Sequence, residues 1–275
     1  MPSPAPRGPQ LVGGLLGHRD YIWQGAWAEL RHRYAGTGLG VVWNVVHPLA
    51  LIAVYSIVFT TLMKGRVPGQ AGNDRFAYVL YLCSGLLPWL AFAECLTRGC
   101  NAFAENATYL RKLPIPEQVF VAKSAAAATL GLAISFALLL AVAPLMGLMP
   151  GFTWLLLPVP LLALMTMGYG VALLCATLNV FFRDVGQLLT IGLQVVLWTA
   201  PIVYVADARV LPPWFVRLLP WHPLYPPLAA VRELFLNHAL PAPWVWAGMV
   251  LWPLAFLALA RLAFSKLRPE IRDVL

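Results

Sequence analysis

Read for hydropathy, the chain alternates long apolar runs with short polar segments, and the runs have membrane-crossing length. A helix rising 1.5 Å per residue needs about 20 apolar residues to cross a bilayer core. Six stretches qualify: residues 40–63, with no charge in 24 positions, then 76–96, 119–149, 154–182, 185–205 and 244–264. Pro150, Gly151, Phe152 and Thr153 alone part the third from the fourth, a tight turn that predicts antiparallel neighbours. The pattern predicts an all-α integral membrane protein with six transmembrane helices and both termini on one side. With the termini inside, 13 Lys and Arg lie in inner segments and 6 in outer ones, which favours cytoplasmic termini.

Three connections carry more pattern than a loop needs. In residues 17–35, Trp23, Trp27, Leu30 and Tyr34 recur at helical spacing, while Arg19, Asp20, Gln24, Glu29, Arg31 and Arg33 fill the other faces. A basic amphipathic helix of this kind belongs in the membrane interface; a soluble cap helix is the plainer alternative. Residues 98–122 lose apolar density, and Pro114 and Pro116 break any helix. A short helix over 102–112 followed by a rigid Pro-x-Pro corner would form a cytoplasmic knob, with an ordinary loop as the alternative. Residues 206–243 are too apolar for a solvated loop and are cut by six prolines between 212 and 227. Two short amphipathic pieces remain, about 214–219 and 228–238. Irregular backbone at membrane depth must be buried in protein or line a cavity, so a re-entrant hairpin at the outer mouth is expected, with surface helices as the rival. The chain then divides into a Pro-rich tail (1–16), the amphipathic helix (17–35), the bundle (36–265) and a cytoplasmic tail (266–275).

Composition narrows the function. The chain is 60% apolar and 11% charged, against about 25% charged in soluble domains. Its net charge of +8 is scattered between apolar runs, so no basic face for nucleic acid forms. No secretory h-region follows the first ten residues, and no cleaved signal is expected. The four cysteines sit in or beside apolar stretches without metal-ligand spacing, and they read as packing residues. No metal site, P-loop, H-E-x-x-H or G-x-S-x-G occurs, and no catalytic residues are assigned. Charges fall at span ends; His47 alone is internal, one turn after Asn44 and just before Pro48. Ion-coupled pumps need more intramembrane charge than this, so the energy for any transport has to come from outside the chain.

Five blocks then resemble one family in order. They are RHRYAGTGLGVVWNVVHPLALIAVYSIVFTTLM (31–63), LYLCSGLLPWLAFAECLTRG (80–99), NATYLRKLPIPEQVFVAK (106–123), NVFFRDVGQLL (179–189) and PWHPLYPPLAAVRELFL (220–236). Together they resemble type-2 ABC exporter permeases of the polysaccharide-export branch, which moves O-antigen and related lipid-linked glycans. The resemblance implies an interface helix, six spans, short re-entrant helices before the last span, and a bacterial inner-membrane location. It also implies a homodimer bound to two copies of a separate ATPase subunit. ATP and Mg belong to that partner, and no cofactor is expected in this chain.

Carried over by position, the coupling element is Asn106, Tyr109, Leu110, Arg111, Lys112 and Pro114, with Arg183 and Asp184 as a second inner contact. Apart from that carry-over, Arg19, Trp23, Trp27, Glu29, Arg31, Arg33 and Tyr34 are candidates for an entry gate, where Arg19, Arg31 and Arg33 would meet the carrier's pyrophosphate; simple binding of anionic headgroups is the alternative. Trp214, Trp221, His222 and Arg232 belong to the outer hairpin, and His222 departs from the Asn-Pro common in relatives. A glycan stacks on aromatic rings, which makes Tyr55, Phe59, Trp89, Phe92, Tyr169, Trp198 and Tyr204 candidates for a channel lining. Competing readings are a type-2 permease for capsule, teichoic acid or a small amphiphile, a membrane enzyme acting on lipid-linked sugars, and a purely structural membrane partner.

Overall fold

The computed structural model describes residues 15, 17–33, 36–58, 76–112, 114–206 and 211–274; Tyr34 and Phe59 lie outside them. All regular structure among these residues is helical: α1 (Arg19–His32), α2 (Trp43–Ile57), α3 (Ala77–Glu105), α4 (Ala107–Lys112), α5 (Gln118–Val142), α6 (Pro158–Phe181), α7 (Val185–Thr199), α8 (Pro213–Leu218), α9 (Tyr225–Phe235) and α10 (Pro243–Val274). Five helical stretches are long and apolar enough to cross a membrane: Gly40–Ile57, Ala77–Glu105, Gln118–Met146, Phe152–Phe181 and Pro243–Ile271.

The centre is built from α3 and α6. The most apolar window of α3 is 83% buried, against 17% for Gly40–Ile57, so α3 is the axis of the bundle and α2 lies at its edge. Small residues make the close approach possible. A Cβ on Gly99 would stand 2.6 Å from the Ala172 Cβ, and one on Gly170 would stand 3.0 Å from the α10 backbone at Phe256 and Leu257. Lipid supplies little hydrophobic drive between helices, so such close contact is what holds spans together. Around this axis α5 packs on α3, α10 packs on α6, and α2 and α7 flank α3 more lightly. The α5–α6 turn is longer than the sequence suggests. It passes through two 3₁₀ segments, Ala143–Met146 and Phe152–Leu156, with Gly147 at φ 93° closing the first.

Two elements depart from the sequence expectation. The fifth apolar run, 185–205, is helical only to Thr199, because Ala200 turns extended before Pro201. Its 15 residues reach about 22 Å, short of a bilayer core of about 30 Å. Conversely α10 does not stop near 264. It runs for 32 residues to Val274, because Ala260, Phe264 and Ile271 continue a buried stripe. The charges of α3 (Glu94, Arg98, Glu105), α5 (Lys123) and α10 (Arg261, Lys266, Arg268) all fall toward one end of the bundle.

Candidate functional site

At the charged end, α3 closes on Asn106, whose side-chain amide donates to the Ala102 carbonyl at 2.8 Å. The Asn106 carbonyl then accepts from the Tyr109 and Leu110 amides and starts α4. Leu110 is buried and anchors the short helix, while Tyr109, Arg111, Lys112 and Pro114 are exposed. The result is a cationic knob standing on one apolar pin. Behind it Glu117, 1% exposed, accepts from Arg268 Nε at 3.0 Å. This ties the Pro-x-Pro corner to the tail of α10. Sequence reading missed the pair: its members stand 151 residues apart, and Arg268 reads as a tail charge. The α6–α7 corner is held to the same end by the Asn179 amide, which donates to the Cys100 carbonyl at 3.3 Å and to Asn101 Oδ1 at 3.4 Å. Arg183 and Asp184 on that corner are exposed. One end thus gathers α4, the Arg183–Asp184 corner and the α10 tail.

Beside this end α1 runs along α5. Tyr21 meets Phe120 edge-on at 6.2 Å, a Cβ on Gly25 would touch the Lys123 side chain, and Arg33 reaches toward Gly131. Ala26 and Leu30 are buried in that contact, while Trp23 and Trp27 are 59% and 51% exposed. The two indoles therefore lie on the flank of α1, about a quarter-turn from its packed face. Arg19 pairs with neighbouring Asp20 at the surface, and Arg31 is exposed. Glu29 and Arg33 are instead drawn inward. Glu29 accepts from Arg98 Nη1 and lies 3.9 Å from Lys123 Nζ. Arg33 donates to Glu94, whose carboxylate also stands 3.2 Å from Arg98 Nε as an ion pair. Five charges from three helices so form one partly buried network, as charges at membrane depth must.

At the opposite end, the chain after α7 is irregular, yet every carbonyl from Thr199 to Tyr204 has a donor. The Tyr204 hydroxyl donates to the Thr199 carbonyl, Arg232 Nη1 to Pro201 and Nη2 to Ile202 at 3.0 Å, Tyr78 to Val203 at 2.6 Å, and Tyr81 to Tyr204 at 3.1 Å. The Ala200 carbonyl accepts from the Ile202 amide. Side chains here replace the ladder that a helix would supply, which is what non-helical backbone in an apolar setting requires. Arg232, 9% exposed, lies under the Tyr81 ring at 3.7 Å. It was read from sequence as an outer-hairpin charge, and it is the central donor of this break. Its helix α9 buries eight of eleven residues against α3, α6 and α10, whereas α8 buries none and exposes Trp214. Trp221 is exposed and His222 half-buried against Thr199.

The aromatic candidates do not converge. Trp89 and Phe92 are buried side by side at 6.0 Å in the core, and Tyr55 and Tyr169 pack against it. Tyr204 belongs to the capped break, and Trp198 points outward at 59% exposure. Among the described residues these rings do not share one cavity.

A family model described as ABC-2 type transporter matches residues 21–236. An O-antigen export system permease protein RfbA of Klebsiella pneumoniae is 26% identical over 255 residues, covering 90% of this chain and 92% of the relative. A second of that name from the same organism is 26% identical over 218 residues, covering 77% and 78%. One from Myxococcus xanthus is 24% identical over 232 residues, covering 84% and 86%.

Proposed function

The chain belongs to the ABC-2 type transporter family, and on that premise we propose that it is the membrane-spanning subunit of an exporter of lipid-linked, O-antigen-like glycan. The observation that carries this reading is the family match across most of the chain together with the permease names of its full-length relatives. A conduit without a nucleotide-binding motif must borrow its work. The exposed Arg111 and Lys112 on α4, at the same end of the bundle as Arg183 and Asp184, are the surface through which it does so.

In this reading a dimer of the chain carries two ATPase subunits, which hold the nucleotide and its Mg, and no cofactor is held here. Both termini lie in the cytoplasm of a bacterium and the charged end faces inward. The sixth crossing is α7 completed by the side-chain-capped segment after Thr199, and α1 sits at the inner interface with Trp23 and Trp27 toward headgroups. Closure of the ATPase subunits pushes α4, whose only buried pin is Leu110. The thrust passes into the continuous α3 on one side and, through the Pro114–Pro116 corner, into α5 on the other. Arg19 and Arg31 draw the anionic carrier to the inner face, since guanidinium pairs well with phosphate.

The test replaces Arg111 and Lys112 with Glu together. Reversing two exposed charges leaves Leu110 and the fold intact, so the protein is expected at normal level in the membrane with surface glycan lost. Wild-type export in that variant would remove α4 as the coupling element.

A further inference from the structure

We propose that the cavity between α1, α2, α3 and α5 binds the diphosphate of the lipid carrier, with Arg33 as an exchangeable clamp. The inference rests on the export reading above and names where the anionic group of that substrate engages. The cavity has a volume of about 130 Å³ and is lined by Arg33, Asn44, His47, Glu94 and Ser135 over a wall of leucines. That is several times what one water needs.

Three observations lead to this occupant. The first is that the Arg33 fork is half used. One Nη atom reaches one oxygen of Glu94, and Nε is buried without a hydrogen-bond partner. Buried polar atoms are rarely left so, and a guanidinium is shaped to give a phosphate two parallel bonds. The second is that Glu94 does not depend on Arg33. The same carboxylate oxygen also lies 3.2 Å from Arg98 Nε as an ion pair, and Arg98 bridges on to Glu29. Arg33 can therefore swing from Glu94 to a ligand without stranding a buried carboxylate. The third is charge. Arg33, Arg98 and Lys123 face Glu29 and Glu94 in this network, a surplus of one cation in a partly desolvated place, where an anion gains most.

The apolar wall decides between a free anion and one carried on a hydrocarbon chain. Leu51, Leu87, Leu90 and Leu132 line the same cavity, and Leu90 keeps 39% of its surface exposed. A prenyl tail leaving between these leucines stays in lipid while its headgroup meets Arg33, Asn44 and His47. Free pyrophosphate would waste that wall.

The experiment measures equilibrium binding of farnesyl diphosphate, farnesol and inorganic pyrophosphate to the full-length chain in detergent, in wild type, Arg33→Gln and Glu94→Gln. Farnesyl diphosphate is expected to saturate, pyrophosphate to bind at least tenfold more weakly, and farnesol not to compete. Arg33→Gln is expected to lose at least tenfold. Glu94→Gln is expected to tighten binding severalfold, because it removes the carboxylate that competes for Arg33. A merely structural pair would weaken in both variants, and that result overturns the proposal, as does unchanged affinity in Arg33→Gln. Equal affinity for pyrophosphate overturns the lipid-linked assignment. Should Arg33→Gln fail to fold, Arg33→Lys keeps the charge but lacks the fork, and must still weaken binding. Deleting the chain from the cell keeps the two readings apart. Surface glycan lost with no binding of farnesyl diphosphate sinks the site alone, and surface glycan retained sinks the export reading itself.

Discussion

Arg232 is a buried cation whose partners are carbonyl oxygens and a ring face where a carboxylate would be usual. Arg232→Ala strands the Pro201 and Ile202 carbonyls at about 1–3 kcal/mol each. A fall in Tm on the order of 5–10 °C in detergent is expected, with loss of surface glycan. Gly85→Ala should move the same way but less, since its Cβ would stand 2.6 Å from Arg232 Nη2; an unchanged Tm in both would deny the clasp. Nothing in the sequence marks this role, because the acceptors are main-chain atoms some thirty residues away and no spacing rule connects them. His222 was legible only as a departure from Asn-Pro. Its Nδ1 accepts the Leu224 amide at 3.2 Å, so the neutral ring carries its proton on Nε2, toward Thr199 Oγ1 at 3.4 Å. Burial holds its pKa below the ordinary 6.5. The unfolded chain therefore takes up a proton below 6.5 that the folded chain resists. Stability is full above 6.5 and declines as pH falls from there to the lowered folded value, then levels. Melting curves of wild type and His222→Asn across that range should differ in slope, with the Asn variant flatter.

At the scale of elements, the apolar helices were legible because twenty uncharged residues admit few other fates, and α4 in part because Pro114 follows it, although residues 102–105, expected within it, continue α3. Their ends were not. The stop of α7 at Thr199 depends on Pro201 being accommodated by donors from α3 and α9. The extension of α10 depends on Phe264 and Ile271 finding a packed partner beyond the lipid. The orientation of α1 was equally hidden, since a helical stripe of Trp23, Trp27 and Leu30 does not say which flank meets α5. The extension of α10 carries a prediction. Glu117 is almost wholly buried and Arg268 only a third exposed, so Arg268→Ala takes away a charged hydrogen bond worth about 1.5–3 kcal/mol. Amide exchange at residues 117–120 should then quicken roughly tenfold or more, with membrane level unchanged. Glu117→Gln added to it should recover most of the protection. Exchange indifferent to Arg268 would show that the α10 tail does not hold the coupling corner.

For the whole molecule, the question is where a polymer would pass. The middle of one chain is filled by α3 against α6, with Gly99, Gly168 and Gly170 drawing the helices too close for a passage, and the aromatic candidates scatter between core and outer face. Of the elements with open apolar faces, α2 and α7 border α3. Among the described residues of α7 none is buried, and Leu188, Ile191, Val195 and Trp198 form an exposed stripe at helical spacing. A two-fold dimer joins the same surface of both copies, so a pair meeting along α2 and α7 would enclose a path between chains that neither owns alone. Such a pair would hold Trp198 at its seam and would need no single-chain channel. In a background with the four cysteines replaced, Ile191→Cys or Val195→Cys is expected to cross-link two copies in native membranes, and Leu254→Cys on the exposed face of α10 is not. Cross-linking confined to Leu254→Cys would move the seam to the other side of the bundle and with it the route of the glycan.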